Sequence, residues 1–228
     1  MNRKTVSVIV PVRNEAANLA DTLELLRDAL LDGDELIVVD GGSTDTSVEI
    51  ARETTARVVI SAPGRARQMN AGARQAMGDW LWFVHADSRL DGRHRRALDV
   101  LPENRRWGRF DVQLSGRRSL FRLIGTMINA RSRLSGIATG DQGIFVRRDL
   151  FVTLGGYPDQ PLMEDIALSR RLKRHSRPAC LRPPLITSSR RWETRGVWQT
   201  IWLMWTLRFR YWRGAAPEAL YRDYYGEH

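Results

Sequence analysis

Apolar positions in the first part of the chain come in short continuous runs separated by helical spacing. Thr5 to Pro11 is a β-rich run closed by proline, which predicts a strand. Asn14 then sits at an N-cap position, and Leu19, Leu23, Leu26 and Leu30 follow at the period of a helix. Asp32-Gly33-Asp34 breaks that helix. Glu35 to Asp40 is a second strand, so continuously apolar that both its faces must be covered. Gly41-Gly42-Ser43-Thr44-Asp45 reads as a turn into a helix capped by Ser43 or Thr44. Arg57 to Ile60 predicts a third strand, Arg65 to Met77 a helix, and Trp80 to Val84 a fourth strand ending at His85-Ala86-Asp87. Strands and helices that alternate through short connections predict an α/β fold with a parallel sheet.

Beyond Arg89 the alternation loosens. Helices are expected over Gly92 to Leu101 and Ser119 to Leu134, with strands over Arg109 to Leu114 and Gly143 to Arg147. Met163-Glu164-Asp165 opens an amphipathic helix carrying Ile166, Leu168 and Leu172. From Gly196 to Arg213, Trp198, Trp202, Trp205, Phe209 and Trp212 form one helical stripe, with Arg208, Arg210 and Arg213 beside it. Such a stripe suits the chain's own core, a second subunit or a membrane interface, and its apolar stretch is shorter than the ~20 residues of a membrane span. The pattern divides the chain into a domain over 1–190, with halves 1–88 and 89–190, and a helical appendage over 191–228.

The chain has 228 residues, 43% hydrophobic and 27% charged, which is ordinary globular composition. The basic N-terminal stretch followed by Val6 to Val12 superficially resembles a signal peptide. Its apolar run is only strand length, contains Pro11 and lacks a small-residue cleavage site, so a buried strand is expected. A single cysteine, Cys180, excludes a disulfide framework or a cysteine zinc site and fits a reducing, cytoplasmic setting. The net charge of +10 is unevenly spread: residues 1–88 hold 9 basic and 13 acidic side chains, the rest 27 and 13. Such asymmetry suggests an anionic partner for the later region, and a nucleic-acid or anionic-surface binding module without catalysis is the alternative reading. No nucleic-acid motif accompanies the charge, so no nucleic-acid partner is expected.

Ligands of open parallel sheets bind beyond the carboxyl ends of the strands, where Pro11 to Glu15, Asp40 and Asp87 all fall. Asp40 before Gly41-Gly42 also fits a plain turn residue, and Asp87 a helix cap. There is no Gly-x-Gly-x-x-Gly after the first strand and no Gly-x-x-x-x-Gly-Lys-Ser/Thr, which removes the main support for a Rossmann dinucleotide site and excludes a P-loop. A nucleotidyltransferase would want a Gly-rich first loop with a lysine partner, where this chain has Pro11-Val12-Arg13-Asn14-Glu15.

Val6 to Glu15 followed by Glu35 to Asp45 resembles family 2 glycosyltransferases. His85-Ala86-Asp87 falls at that family's Asp-x-Asp metal motif, and Glu164-Asp165 at the pair containing its catalytic base; the resemblance covers Val6 to Lys173. Gly64 to Asn70, His85 to Asp87 and Gly140 to Gly143 resemble a small bacterial subgroup labelled radical-SAM-, selenodomain- or arsenosugar-associated transferases. The resemblance implies a GT-A fold and transfer, with inversion, of a sugar from a nucleotide-diphosphate sugar, UDP-linked by default, to an acceptor hydroxyl. It implies Mg²⁺ or Mn²⁺ on Asp87; His85, replacing the motif's first aspartate, would give the metal a nitrogen ligand or leave it one contact short, and also fits a strand-end residue bonded to backbone. Pro11, Val12, Asn14, Glu15, Asp40, Gly41, Arg67, Gln68 and Ala86 would bind the nucleotide-sugar, with Arg65 a further diphosphate contact. Asp165, beside Glu164, would be the base, and Asp141 and Gln142 would face the acceptor. A membrane-surface enzyme, peripheral on the inner face of the cell membrane, would act on a lipid acceptor; a soluble one, on a small metabolite.

Overall fold

A computed structural model of the chain describes residues 3–54, 57–116 and 119–226. Met1 and Asn2, which open the basic N-terminal stretch, lie outside the described residues. Val6–Val12 (β1) pairs in parallel with Glu35–Asp40 (β2) on one side and Trp80–Phe83 (β4) on the other, and Arg57–Ile60 (β3) extends the sheet beyond β2. The apolar runs are continuous because both faces of these strands are covered. Val6, Val8, Val10 and Val12 join Leu19, Leu23 and Leu26 of Ala16–Ala29 (α1) in one core. Ile9, Ile37 and Val39 join Ala66 and Met69 of Arg65–Gln75 (α3) in the other. Ser47–Thr54 (α2) connects β2 to β3.

The second half completes a seven-stranded sheet of order β3-β2-β1-β4-β6-β5-β7. Phe145–Arg147 (β6) runs antiparallel to β4 and to Trp107–Leu114 (β5), which pairs in parallel with Ala179–Thr187 (β7). The architecture is therefore a single mostly parallel α/β sheet flanked by helices, as expected. β7 is not foreshadowed in the sequence, because Pro183-Pro184 argues against a strand. At the sheet edge a proline costs no ladder bond, which is where β7 lies. Gly92–Asp99 (α4) and Ser119–Ser135 (α5) fall close to their expected spans, Arg148–Thr153 (α6) adds a short helix, and Glu164–Leu172 (α7) starts at the predicted acidic pair.

Two local expectations are corrected. Glu15, not Asn14, is the N-cap of α1, and Asn14 takes a left-handed conformation with φ 56°. The helix after β2 begins at Ser47 rather than behind Ser43 or Thr44, because those two residues are tied to Asn14.

The chain ends in Arg190–Arg195 (α8), Val197–Trp212 (α9) and Pro217–Tyr225 (α10). Leu203, Leu207 and Tyr211 of α9 pack with Met163, Ile166, Leu220 and Tyr224. The Trp198–Trp212 stripe occupies the opposite side and points outward, each of its five rings between 55% and 76% exposed. Packing of that stripe on the chain's own core, one of the three expected placements, does not occur: the other face of α9 already fills it. Among the described residues no helix is long and apolar enough to cross a membrane.

Candidate active site

The crevice begins where β1 loses a neighbour. Pairing of β1 with β2 continues to Val12 and Asp40, whereas pairing with β4 stops at Ile9 and Phe83. Val84 N–H still reaches the Ile9 carbonyl. Pro11 comes next in the same alternation, so its missing N–H removes nothing from the sheet. Beyond it the chain splays into the loop ahead of α1.

That loop is laced to the one after β2. Asn14 N–H donates to Ser43 Oγ, Thr44 N–H to Asn14 Oδ1, and Glu15 N–H to Ser47 Oγ. Asp40 is only 3% exposed, and its carboxylate accepts from Gly42 N–H at 2.9 Å and Ser43 N–H at 3.1 Å. Gln68 is also buried and donates through Nε2 to the carbonyls of Val12 and Val39. A Cβ on Gly41 would stand 2.6 Å from the Gln68 side chain, so only glycine lets the clamp close. Asp40, Gly41, Gln68 and buried Val12 thus hold the rim from behind. The turn reading of Asp40 and the nucleotide reading meet there: its oxygens serve the loop that a nucleotide would touch. Ala86 is buried, its carbonyl accepting from Thr22 Oγ1.

Arg67 is not brought to the site. It lies exposed on α3, in an ion pair with Asp159 at 2.8 Å, because its position on the helix is turned away from the crevice that Arg65 enters. Gln142 is likewise withdrawn: it is buried, and its Oε1 accepts from Thr139 N–H within a single 3₁₀ turn, Gly140–Gln142.

A cavity of about 1080 Å³ opens beyond the strand ends, and Arg65, His85, Asp87, Asp141, Glu164 and Asp165 all line it. The start of α7 presents the acidic pair. Asp165 Oδ2 accepts from Gly140 N–H at 2.8 Å and Oδ1 from Ile166 N–H at 2.7 Å, which fixes the carboxylate against the 3₁₀ turn. His85 packs beneath the same turn, so closely that a Cβ on Gly140 would lie 2.8 Å from its Nε2. Glu164 is 3% exposed, with Arg65 Nη1 3.7 Å from its Oε1.

Burial pushes the site's carboxyls upward, and neighbouring carboxylates add to the shift of Glu164, Asp87 and Glu15. Burial, then the neighbouring Asp165, raises Glu164 to about 7. Burial also raises Asp165, against the pull of its two backbone donors. Asp87 is raised by burial and then by Asp141, and Glu15 by burial and then by Asp87. A cation beside them would favour their ionised forms. Among the described residues no three His, Cys, Asp or Glu side chains converge on a point. The chain therefore offers Asp87, with His85 nearby on the same strand end, rather than a closed cage. A hard carboxylate oxygen on an open cavity is of the chemistry that would hold a divalent cation such as Mg²⁺ or Mn²⁺.

Two lining arginines were not evident from the sequence. Arg131 of α5 and Arg208 of α9 both face the cavity that holds Asp165 and Asp141. Arg208 was visible only as a cation beside the Trp stripe. Nothing local marked Arg131, since α5 meets α7 and α9 only in the fold.

Residues 7–124 match the family model described as glycosyl transferase family 2. A PGL/p-HBAD biosynthesis glycosyltransferase of Mycobacterium bovis (strain BCG / Pasteur 1173P2) is 32% identical over 177 residues, covering 66% of this chain and 62% of that protein. The probable glycosyltransferase YdaM of Bacillus subtilis is 26% identical over 92% of this chain and 54% of its own length. The chain thus spans somewhat over half the length of these relatives. Among solved structures, the mannosyltransferase PcManGT from Pyrobaculum calidifontis, in complex with GDP-Man and Mn²⁺, superposes with a TM-score of 0.67 at 21% identity, covering 98% of this chain and 69% of that one. Glucosyl-3-phosphoglycerate synthase from Mycobacterium tuberculosis, with Mn²⁺, UDP and glucosyl-3-phosphoglycerate, gives 0.59 at 22% identity over 81% and 70%. With its sheet, its strand-end crevice and a family match across the first five strands, the chain belongs to glycosyl transferase family 2.

Proposed function

We propose that the chain transfers a sugar from a nucleotide-diphosphate sugar, UDP-linked by preference, to an acceptor hydroxyl with inversion, and that Asp165 is the general base. The observation that carries this reading is the Asp165 carboxylate, held by two backbone donors at the start of α7 and turned into the cavity that Asp87 also lines. The acceptor oxygen forms its bond to the anomeric carbon while the bond from that carbon to the diphosphate breaks. The hydroxyl proton passes to Asp165, and the nucleoside diphosphate departs. The laced loops at Asn14–Glu15 and Gly42–Thr44 hold the nucleoside, and Arg65 faces its diphosphate. A divalent ion bound with Asp87 would act as a Lewis acid, offsetting charge on the leaving group. The GDP-Man, UDP, Mn²⁺ and Mg²⁺ complexes of structural neighbours support a donor and cation of this kind.

A thermal-shift panel of nucleoside diphosphates with and without Mn²⁺ tests the donor, since ligands that bind the folded state raise its melting temperature. Asp165→Asn should then lower turnover by about 100-fold or more while leaving nucleotide affinity nearly intact. Unchanged turnover sinks the base assignment, and a panel without any stabilising nucleotide sinks the donor.

A further inference from the structure

The cavity has two unlike parts, and the transfer chemistry uses the polar one. The other part lies between α5 and α9, where Ile124, Met127 and Leu134 line it from one helix and Ile201, Met204 and Trp205 from the other. Met127, Leu134 and Trp205 are at once cavity wall and outer surface, being 54%, 89% and 66% exposed. The apolar wall therefore runs out of the cavity onto the surface. There it continues as Leu123 of α5 and Trp198, Trp202, Phe209 and Trp212 of α9, all exposed. An open apolar patch of this kind marks a contact surface.

Charge separates the occupants. Neither α5 nor α9 carries an acidic residue; Arg133 and Arg210 are paired with Asp111 and Asp223, and Arg131 and Arg208 line the cavity, which leaves Arg122 of α5 and Arg213, over the Phe209 ring, as exposed cations beside the apolar patch. A two-fold contact between copies would set these like charges against one another. An anionic bilayer would complement them, and amphipathic helices with Trp on one face and Arg beside it lie in bilayer interfaces.

At the junction of the two parts stand Arg131 and Arg208. Nε and Nη2 of Arg131 are buried without a hydrogen-bond partner, and burial with the nearby Arg208 lowers its guanidinium to about 10. Burial lowers Arg208 as well, with Asp165 and Asp141 opposing the shift. Two poorly solvated guanidiniums lining one cavity, one of them short of acceptors, suit an anion.

We propose that the acceptor is a membrane lipid bearing an anionic group close to its acceptor hydroxyl. The anion rests on Arg131 and Arg208, which brings the hydroxyl to Asp165. The hydrocarbon lies in the groove between α5 and α9, and the Trp face of α9 seats the protein on an anionic bilayer. The identity of the hydroxyl group as acceptor rests on the transferase reading; the two binding claims are read without any donor.

The full chain is floated with phosphatidylcholine vesicles, with and without about 30% phosphatidylglycerol. It should rise with the anionic vesicles and shift its tryptophan emission to the blue. Trp198→Glu with Trp202→Glu, both exposed and outside the cavity lining, should cut flotation about tenfold and leave UDP–Mn²⁺ stabilisation unchanged. Octyl phosphate should bind at least about tenfold more tightly than inorganic phosphate, and Arg131→Gln or, independently, Arg208→Gln should weaken it about tenfold. Absence of flotation overturns the bilayer contact, as does equal flotation of the double variant. A dimer by light scattering that the same double variant dissociates overturns it in favour of a second copy. Equal binding of octyl and inorganic phosphate overturns the lipid acceptor. Failure of every nucleoside diphosphate, with Mn²⁺, to stabilise the wild type instead removes the nucleotide-sugar donor reading, a separate result.

Discussion

Glu164→Gln should stabilise the protein, and only on the alkaline side. The carboxyl is 3% exposed, and burial with the adjacent Asp165 raises it from 4.5 to about 7. Every tenfold gain in proton affinity corresponds to about 1.4 kcal/mol. Ionised Glu164 therefore costs the folded state about 3 kcal/mol relative to the unfolded chain. Below pH 4.5 the group is protonated in both states, and the cost is absent. Between 4.5 and about 7 the unfolded chain loses its proton first, so stability falls with rising pH; above about 7 the full cost applies. Glutamine has the same shape and does not titrate. The ion pair with Arg65 is already within that figure, because it holds the carboxyl below where burial alone would put it. The net gain is about 3 kcal/mol at pH 8.5 and falls to about 1 kcal/mol or less by pH 5. Urea unfolding of both proteins at several pH values measures it. A difference that does not change with pH, or a variant less stable at pH 8.5, would show that Glu164 is not a protonated, buried partner of Asp165.

Gly140→Ala should place a methyl group 2.8 Å from His85 Nε2 and 3.9 Å from Asp165 Oδ2. The Asp165 distance is ordinary contact, so the clash falls on His85 and on the turn whose Gly140 N–H holds Asp165; a shift of about 1 Å there should lower turnover about 100-fold, read by steady-state kinetics beside nucleotide titration. Asp40→Ala strips the acceptor from Gly42 and Ser43 N–H, so it should destabilise by about 1–3 kcal/mol and weaken nucleotide binding through a loosened loop. A variant with wild-type unfolding and nucleotide affinity would refute the positioning role of Asp40.

The parallel half of the fold was legible because its strands are apolar on both faces, and its helices repeat apolar positions at helical spacing. Short-range logic suffices for that. β7 was not legible: Pro183-Pro184 is tolerable only at a sheet edge, and edge position is a property of the finished sheet. The same limit governs the site. Asp87 could be named from its place at a strand end, and Glu164 and Asp165 from the family resemblance of the helix start they occupy; all three line the cavity. Arg67 and Gln68 looked equivalent to Arg65 in sequence, yet α3 turns the three in different directions. One enters the cavity, one pairs with Asp159 outside, and one clamps two strands from beneath. Arg131 and Arg208 belong to helices far apart in sequence that meet only in the cavity lining.

The uneven charge acquires a physical meaning from that convergence. Glu15, Asp87, Glu164 and Asp165 are all shifted upward, first by burial and, except for Asp165, also by a neighbouring carboxylate, so ionising the strand-end part of the crevice is costly without a counter-charge. A diphosphate entering there adds negative charge, which a cation on Asp87 and the guanidinium of Arg65 would balance. Across the cavity the sign reverses: burial shifts Arg131 and Arg208 downward, and Arg131 has two buried guanidinium nitrogens without an acceptor. On the proposed reading, one cavity with unlike surroundings at its two ends suits two different partners, a metal-bound donor beside Asp87 and Arg65 and an anionic acceptor beside Arg131 and Arg208, with Asp165 lining the cavity that both would enter.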